Sequence, residues 1–268
     1  MKFAELSEEQ WEFIKPHLPH QPIVGRKRAD DRMTINGILY VLITGCCWHD
    51  MPRRYGAYQT AWRRLNRWSN EGVWIRILAL AQEKAYFMGK LNLETIAVDS
   101  TLIDSKKGGE SARYNGHKRR KGVKAHAAVS SSSFPLAMII GPGNEHDSRR
   151  FEQVVSSVRI NIGRGRPKNR PSEVLADAAY DNESIRCYLR RRGIRCSIPS
   201  NKRNQKKPQR GRPTRFDAEA YKKRGAVERF FGWLKGGFRR ISVRHERLDV
   251  CFLGFVLLAS FLIIWRMR

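Results

Sequence analysis

Apolar residues recur at two different periods along the chain, and the change from one to the other falls near residue 90. Up to that point the period is helical. Ser7 with Gln10 makes a capping box ahead of Trp11, Phe13 and Ile14, and Pro16 and Pro19 stop the helix it opens. A second helix is predicted over 34–44, ended by Gly45. Tyr58, Ala61, Trp62, Leu65 and Trp68 then recur at spacings of three and four, with Arg63, Arg64 and Arg67 on the other sides, which predicts a basic amphipathic helix. A fourth helix spans about 73–87. Residues 1–90 therefore read as a small all-helical domain of helix-turn-helix character.

Beyond Leu93 the period shortens to two. Residues 95–98 make a short apolar strand that ends in Asp99. Val123, Ala125, Ala127 and Val129 alternate with Lys124, His126 and Ala128 in a second strand, residues 131–133 turn the chain, and 136–140 form a third. A helix over about 148–158 follows. Residues 174–176 are a fourth strand ending in Asp177, 183–192 a helix stopped by Gly193, and 194–198 a fifth strand. Residues 201–215 hold seven basic residues, two prolines and no acid, so a basic loop is expected there. Asp217 then caps a long helix through about Gly236. This order predicts an α/β domain over 91–268, with a mixed five-stranded sheet flanked by helices. In the run 250–265 only Gly254, Ala259 and Ser260 interrupt larger apolar residues. It is shorter than the ~20 residues of a membrane span, so it is expected to be a covered C-terminal helix, with no membrane as partner.

Charge narrows the choice of partner. The 268 residues carry 52 Lys+Arg against 25 Asp+Glu, a formal +27, which attracts polyanions. Arg63, Arg64 and Arg67 of the third helix, Lys118 and Arg119 in the run 117–121, and Lys206, Lys207 and Arg210 of the basic loop are candidate contacts to a DNA backbone. The alternative for each is solvated surface charge. Residues 1–11 carry three glutamates and no apolar core, so they are not a signal peptide. The five cysteines form no CxxC pair and have no His at zinc spacing, as expected for reduced thiols in a cytoplasmic protein.

Candidate chemistry lies in three carboxylates. Asp99 and Asp177 each follow an apolar strand, where a side chain is held rigidly beside an open edge; either could equally be a turn-forming aspartate. On the last long helix, Tyr221, Arg224, Glu228 and Lys235 fall within about 60° of one another, from the helix period alone. Ala226, Val227, Phe230, Trp233 and Leu234 take the other side, to pack on the sheet. Arg224 and Glu228 could also be no more than an exposed i,i+4 pair.

Those four polar residues reproduce the spacing Y-x(2)-R-x(3)-E-x(6)-K, and with it the chain resembles transposases of the insertion-sequence-five family of bacteria and archaea. The blocks AVDST at 97–101, HKRRKGVKAH at 117–126, NEHD at 144–147, ADAAYD at 176–181, VERFFGWLK at 227–235 and MTINGILYVLITGCCW at 33–48 carry the resemblance over almost the whole length. It implies an RNase H-like DDE core with Asp99, Asp177 and Glu228 as catalytic ligands of two Mg2+ or Mn2+ ions. Such an enzyme cleaves the ends of its element and joins the 3′-hydroxyls to target DNA. Tyr221 would contact phosphate or base, and Arg224 and Lys235 would face strand phosphates. Partners would be double-stranded DNA, both element ends and target, and at least a homodimer on it; the setting would be the nucleoid. His146 belongs to the NEHD block without an evident role. A transposase-derived DNA-binding regulator that does not cut is the alternative, and the three intact carboxylates argue against it.

Overall fold

The first helix, α1 (Glu8–Ile14), begins as its sequence prescribes: the Ser7 hydroxyl accepts the Gln10 N–H at 3.2 Å, and the Gln10 side chain accepts the Ser7 N–H at 2.9 Å. In the computed structural model, which describes residues 2–20, 24–25, 27–163, 165–206 and 216–267, three more helices follow: α2 (Asp31–Thr44), α3 (Tyr58–Asn70) and α4 (Val73–Phe87). Asp30 caps α2 by accepting the Met33 N–H at 2.7 Å. Gly45 closes it at φ 74°, and a Cβ there would lie 2.8 Å from the Arg239 Cβ. Glycine is thus required twice, for its left-handed backbone and for close approach.

Helix α3 departs from the expected pattern at two positions. Ala61, Leu65 and Trp68 are buried, but Trp62 is 37% exposed. Arg64 turns inward instead. It is buried, paired with Asp31 of α2, and its guanidinium lies 5.4 Å from the Trp68 ring. A buried charge needs such a partner, so Arg64 ties α2 to α3 and is withdrawn from the surface that Arg63 and Arg67 keep.

The second part of the chain runs β1 (Thr95–Ser105), β2 (Arg113–Asn115), β3 (Arg120–Ser130), β4 (Pro135–Pro142), α5 (Phe151–Ser156), β5 (Glu173–Leu175), α6 (Glu183–Arg191), β6 (Arg195–Ser197), α7 (Lys202–Lys206), α8 (Ala218–Lys222), α9 (Gly225–Gly237), α10 (Arg239–Ser242), β7 (Val243–Arg244) and α11 (Asp249–Met267). The sheet is mixed, as expected. Its path among the described residues is β2-β3-β1-β5-β6, with β4 on β3 and β7 on β1. Strand β3 is antiparallel to β1 and β4, whereas β5 and β6 run parallel to β1. Two short strands, β2 and β7, add to the five predicted. More important, β1 continues to Ser105, so Asp99 lies inside an 11-residue strand rather than at its end.

The predicted helix over 217–236 is two helices. Asp217 caps α8, accepting the Ala220 N–H at 2.9 Å, and Lys223 and Arg224 form a turn before α9. Ala226, Val227, Phe230 and Leu234 are buried, and α9 packs on β1 and β3. Trp233 is not part of that face; it is 41% exposed, and Phe231 is buried in its place.

Helix α11 has the length and hydropathy of a membrane span, but 72% of its apolar window is buried inside the fold. It packs against α3, α4, α9 and β4. Phe13 stacks on Phe261 at 6.0 Å and Trp48 on Phe255 at 5.7 Å. Gly254 lets α11 approach α3, since a Cβ there would stand 2.2 Å from the Ser69 hydroxyl. The N-terminal helices thus share one continuous core with the last helix, and no break in packing falls at residue 90.

Candidate active site

Sheet register brings the two aspartates together. Ala97 of β1 is paired with Leu175 of β5 in the parallel ladder. Two residues further along each chain come Asp99, on the face that Ala97 takes because strand side chains alternate with period two, and Asp177, close enough that its charge raises the Asp99 carboxyl. β5 ends at Leu175, so Asp177 has left the ladder; it caps the turn Ala178–Tyr180 by accepting the Ala179 N–H at 2.9 Å. Asp99 stays in its strand and accepts its neighbour's N–H, from Ser100, at 2.7 Å. Burial, with Asp177 and Asp147 adding to it, raises the Asp99 carboxyl to about 6 against the pull of the Ser100 N–H and Arg224.

The third carboxylate is joined to these through an arginine. Arg224 donates from Nη1 to Asp99 Oδ2 at 3.2 Å and from Nη2 to Glu228 Oε1. Its guanidinium lies 5.7 Å from the Tyr221 ring. The turn between α8 and α9 makes i→i−3 bonds, Arg224 N–H to Tyr221 O at 2.9 Å and Val227 N–H to Arg224 O at 3.1 Å. At three residues per turn, side chains three apart eclipse, which puts Tyr221 and Arg224 on one line. Burial alone would pull the Arg224 pKa down, but Tyr221, Asp99, Glu228 and Asp177 outweigh it and the pKa is raised. Burial also raises Tyr221, with Asp177 and Asp99 adding and Arg224 opposing.

Lys235 shares the helix face but not the carboxylates. Its ammonium donates to Thr101 Oγ1 at 2.5 Å and to the Leu102 carbonyl at 3.0 Å, and burial lowers its pKa. It fastens α9 to the outer half of β1.

Carboxylate oxygens are the donors that Mg2+ and Mn2+ prefer. The half-buried Asp99 beside Asp177 carries the excess negative charge that a divalent ion relieves, so the donor set fits in kind. In placement it is looser: among the described residues no three of His, Cys, Asp and Glu are grouped closely enough to share an ion, and Arg224 spans the gap between Asp99 and Glu228.

Behind Asp99, on the opposite face of β1, lies a polar network that the sequence did not disclose as a unit. Asp147 Oδ1 accepts from Ser100 Oγ at 2.6 Å and from Lys124 Nζ at 2.8 Å. Burial raises Asp147, yet these two donors more than reverse it and its pKa is lowered. The only hint was the NEHD block around it. Asp104 and Asp181, two other acids near these strands, are engaged elsewhere, with Arg120 at 3.0 Å and Arg186 at 2.7 Å. His126, paired with Ser100 across the ladder, is 1% exposed, inside the sheet.

Burial lowers the His126 pKa to about 4, against about 6.5 in an unfolded chain. A base whose folded pKa is depressed contributes stability that is present above the unfolded value and lost as pH falls toward the folded one. His126 is thus expected to cost the fold about 3 kcal/mol between pH 6.5 and 4. Asp99 has the opposite slope in part of that window, so the check is the difference in unfolding free energy between wild type and His126→Leu. That difference should change with pH only below about 6.5, and a constant difference would contradict a neutral buried imidazole.

The other candidate cations lie elsewhere. Lys118 and Arg119 are exposed in the turn between β2 and β3, and Lys206 is exposed at the end of α7. Lys207 and Arg210 fall outside the described residues. Arg63 is exposed on α3, and Arg67 is paired with Glu71 at 2.7 Å on the surface.

Residues 91–263 match the family described as "Transposase DDE domain", and residues 6–78 match the one described as "Putative transposase of IS4/5 family". The chain belongs to the DDE transposase family. Among its relatives is the "Putative transposase for insertion sequence element IS402" of Burkholderia cepacia, 32% identical over 167 residues, covering 61% of this chain and 74% of that protein. Another is the "Putative transposase for insertion sequence element IS6501" of Brucella ovis, 31% identical over 141 residues, covering 53% of this chain and 96% of that protein. In three dimensions this transposase is similar to the piggyBac transposase, solved in a synaptic complex with hairpin DNA, with a TM-score of 0.50 over 96% of this chain and 70% of that one. At 11% identity that likeness speaks for the fold alone. One family match ends at residue 78 and the other begins at 91, close to where the hydrophobic period changes, although the packed core of this transposase runs across that stretch.

Proposed function

We propose that this transposase cleaves the ends of an insertion sequence and joins their 3′-hydroxyls to target DNA, with Asp99, Asp177 and Glu228 as ligands of two Mg2+ or Mn2+ ions. The observation that carries the reading is the parallel β1–β5 register, which sets Asp99 beside Asp177, together with Arg224, which ties Glu228 to the same place. The strand order β4-β3-β1-β5-β6, with β3 alone reversed, supports an RNase H-like core.

When bound, such ions supply Lewis-acid polarisation of a phosphodiester and a water that ionises near neutral pH. The chain's own residues do the rest. Asp99 is held by the ladder on β1, Asp177 by its own capped turn, and Glu228 by α9, which Lys235 fastens to the strand. Arg224 and Tyr221 stand where a strand phosphate would meet the carboxylates. Residues 1–90 provide recognition of the element ends through Arg63 and Arg67, and Lys118, Arg119, Lys206, Lys207 and Arg210 follow the backbone. Two ends imply a homodimer or larger assembly on DNA.

The test is strand joining in vitro. A duplex carrying the element end should be nicked to a 3′-hydroxyl in Mg2+ and then joined to a second duplex, and a chelator should stop both steps. Cleavage that persists in chelator would remove the metal assignment; end binding with no cutting under any metal would favour the regulator. Arg63→Ala with Arg67→Ala is expected to lower the salt slope of end binding by about 0.9 for each phosphate that is no longer neutralised. An unchanged slope and unchanged preference for end sequence would place recognition elsewhere.

A further inference from the structure

Asp99 and Glu228 are both held by Arg224, each through a different guanidinium nitrogen. A guanidinium is a planar fork of donors with a fixed charge of +1. Here it does for two carboxylates what a shared cation would do, neutralising part of their charge and setting their separation. The same two carboxylates are among the three that the proposed function gives to metal. The two occupancies compete, because Asp99 Oδ2 and Glu228 Oε1 accept from Arg224 as the site stands.

We propose that Arg224 is the resident counter-ion of the DNA-free site and the positioning residue that couples phosphate binding to metal binding. In the DNA-free protein its guanidinium blocks Asp99 and Glu228. A DNA phosphate reaching α9 accepts the guanidinium in their place and frees the carboxylates for metal. This rests on the reading that Asp99 and Glu228 are metal ligands.

Three features make the exchange inexpensive. A phosphate offers the same forked acceptor geometry as a carboxylate, so Arg224 trades one charge-assisted pair for another. Tyr221 lies beside the guanidinium and can remain its aromatic neighbour through the move. Asp99 left without Arg224 still faces Asp177, and an incoming divalent cation relieves that repulsion, so the metal offsets what the guanidinium gave up. Coupling of this kind is reciprocal: the factor by which DNA raises metal affinity equals the factor by which metal raises DNA affinity. Removing the guanidinium removes both.

The experiment measures Mn2+ binding to the full chain by electron paramagnetic resonance, with and without a duplex carrying the element end. Asp99→Asn with the same duplex serves as the background for Mn2+ held by DNA. Wild type is expected to bind Mn2+ about tenfold more tightly with DNA than without, within the usual range of such couplings. Arg224→Gln is expected to bind Mn2+ more tightly than wild type when DNA is absent and to gain little when it is added. Arg224→Lys keeps the charge but cannot fork between both carboxylates, so it should fall between them; it also serves if Arg224→Gln does not fold. DNA-free Mn2+ affinity that is unchanged or weaker in both Arg224 variants would overturn the proposal, as would a wild type indifferent to DNA. If Asp99→Asn binds Mn2+ as wild type does, the metal assignment has failed and the coupling with it. If Asp99→Asn loses Mn2+ while the Arg224 variants match wild type, only the role of Arg224 is refuted.

Discussion

Asp99→Asn, Asp177→Asn and Glu228→Gln are each expected to reduce strand cleavage by about a thousandfold or more, the scale on which a preorganised charge stabilises a transferring group, and to leave the protein folded. Each change keeps the size of the side chain and removes the charge that would hold a divalent ion. The fold should survive because the carboxylates repel one another: Asp99 is half-buried and raised by the charges of Asp177 and, from behind the strand, Asp147, so its ionised form is a cost without metal. Part of that gain is offset, since the amide at 99 pairs less strongly with Arg224. Binding to element ends should survive as well, because less negative charge then faces phosphate. The measurements are thermal melting, end binding and cleavage for the three variants, in magnesium and in chelator. A variant that cuts at close to the wild-type rate is not altered at a ligand.

Deleting residues 249–268 is expected to leave a chain that cannot fold, and a fragment ending near residue 90 should fail for the same reason. Phe252, Phe255, Phe261 and Ile264 of α11 are each no more than 1% exposed, and their neighbours include α3 and α4. Without α11 the apolar faces of those helices become an exposed patch of the kind that drives aggregation. A milder version is Phe255→Ala, expected to cost about 3–5 kcal/mol as a cavity in a packed core. Circular dichroism and sedimentation of the 1–90 fragment decide the matter: a soluble monomer with a cooperative melt would show that the helices stand without α11.

Much of the fold is legible in the sequence because most elements follow local rules. The capping box at Ser7, the left-handed stop at Gly45 and the alternation along 123–129 rest on near neighbours in sequence, and each stands where the pattern places it. What is not legible depends on distant partners. Arg64 reads as one more cation of a basic helix until Asp31, 33 residues away, takes it inward. The pattern shows β1 only as far as Val98 because Thr95 to Val98 are buried on both faces; from Asp99 on the strand borders the candidate site, most positions are half-buried and polar and apolar residues mix, with Ile103 buried again, while the backbone ladder goes on. β2 and β7, of three and two residues, are too short to show a period. Glu228 is visible through the Y-R-E-K spacing and the two aspartates through their places after apolar strands, whereas the support behind them is not, since Ser100, Lys124 and Asp147 come from three separate segments that only the sheet brings together.

The packing of α11 into the first helices also orders events during synthesis. The segment proposed to read DNA leaves the ribosome well before α11, the helix whose surface it must bury. Until translation has passed residue 264 those helices lack their partner, so recognition and cutting mature together. A premature stop or frameshift ahead of residue 264 is then expected to silence both at once, so that a copy shortened there does not linger as a competitor occupying the element ends.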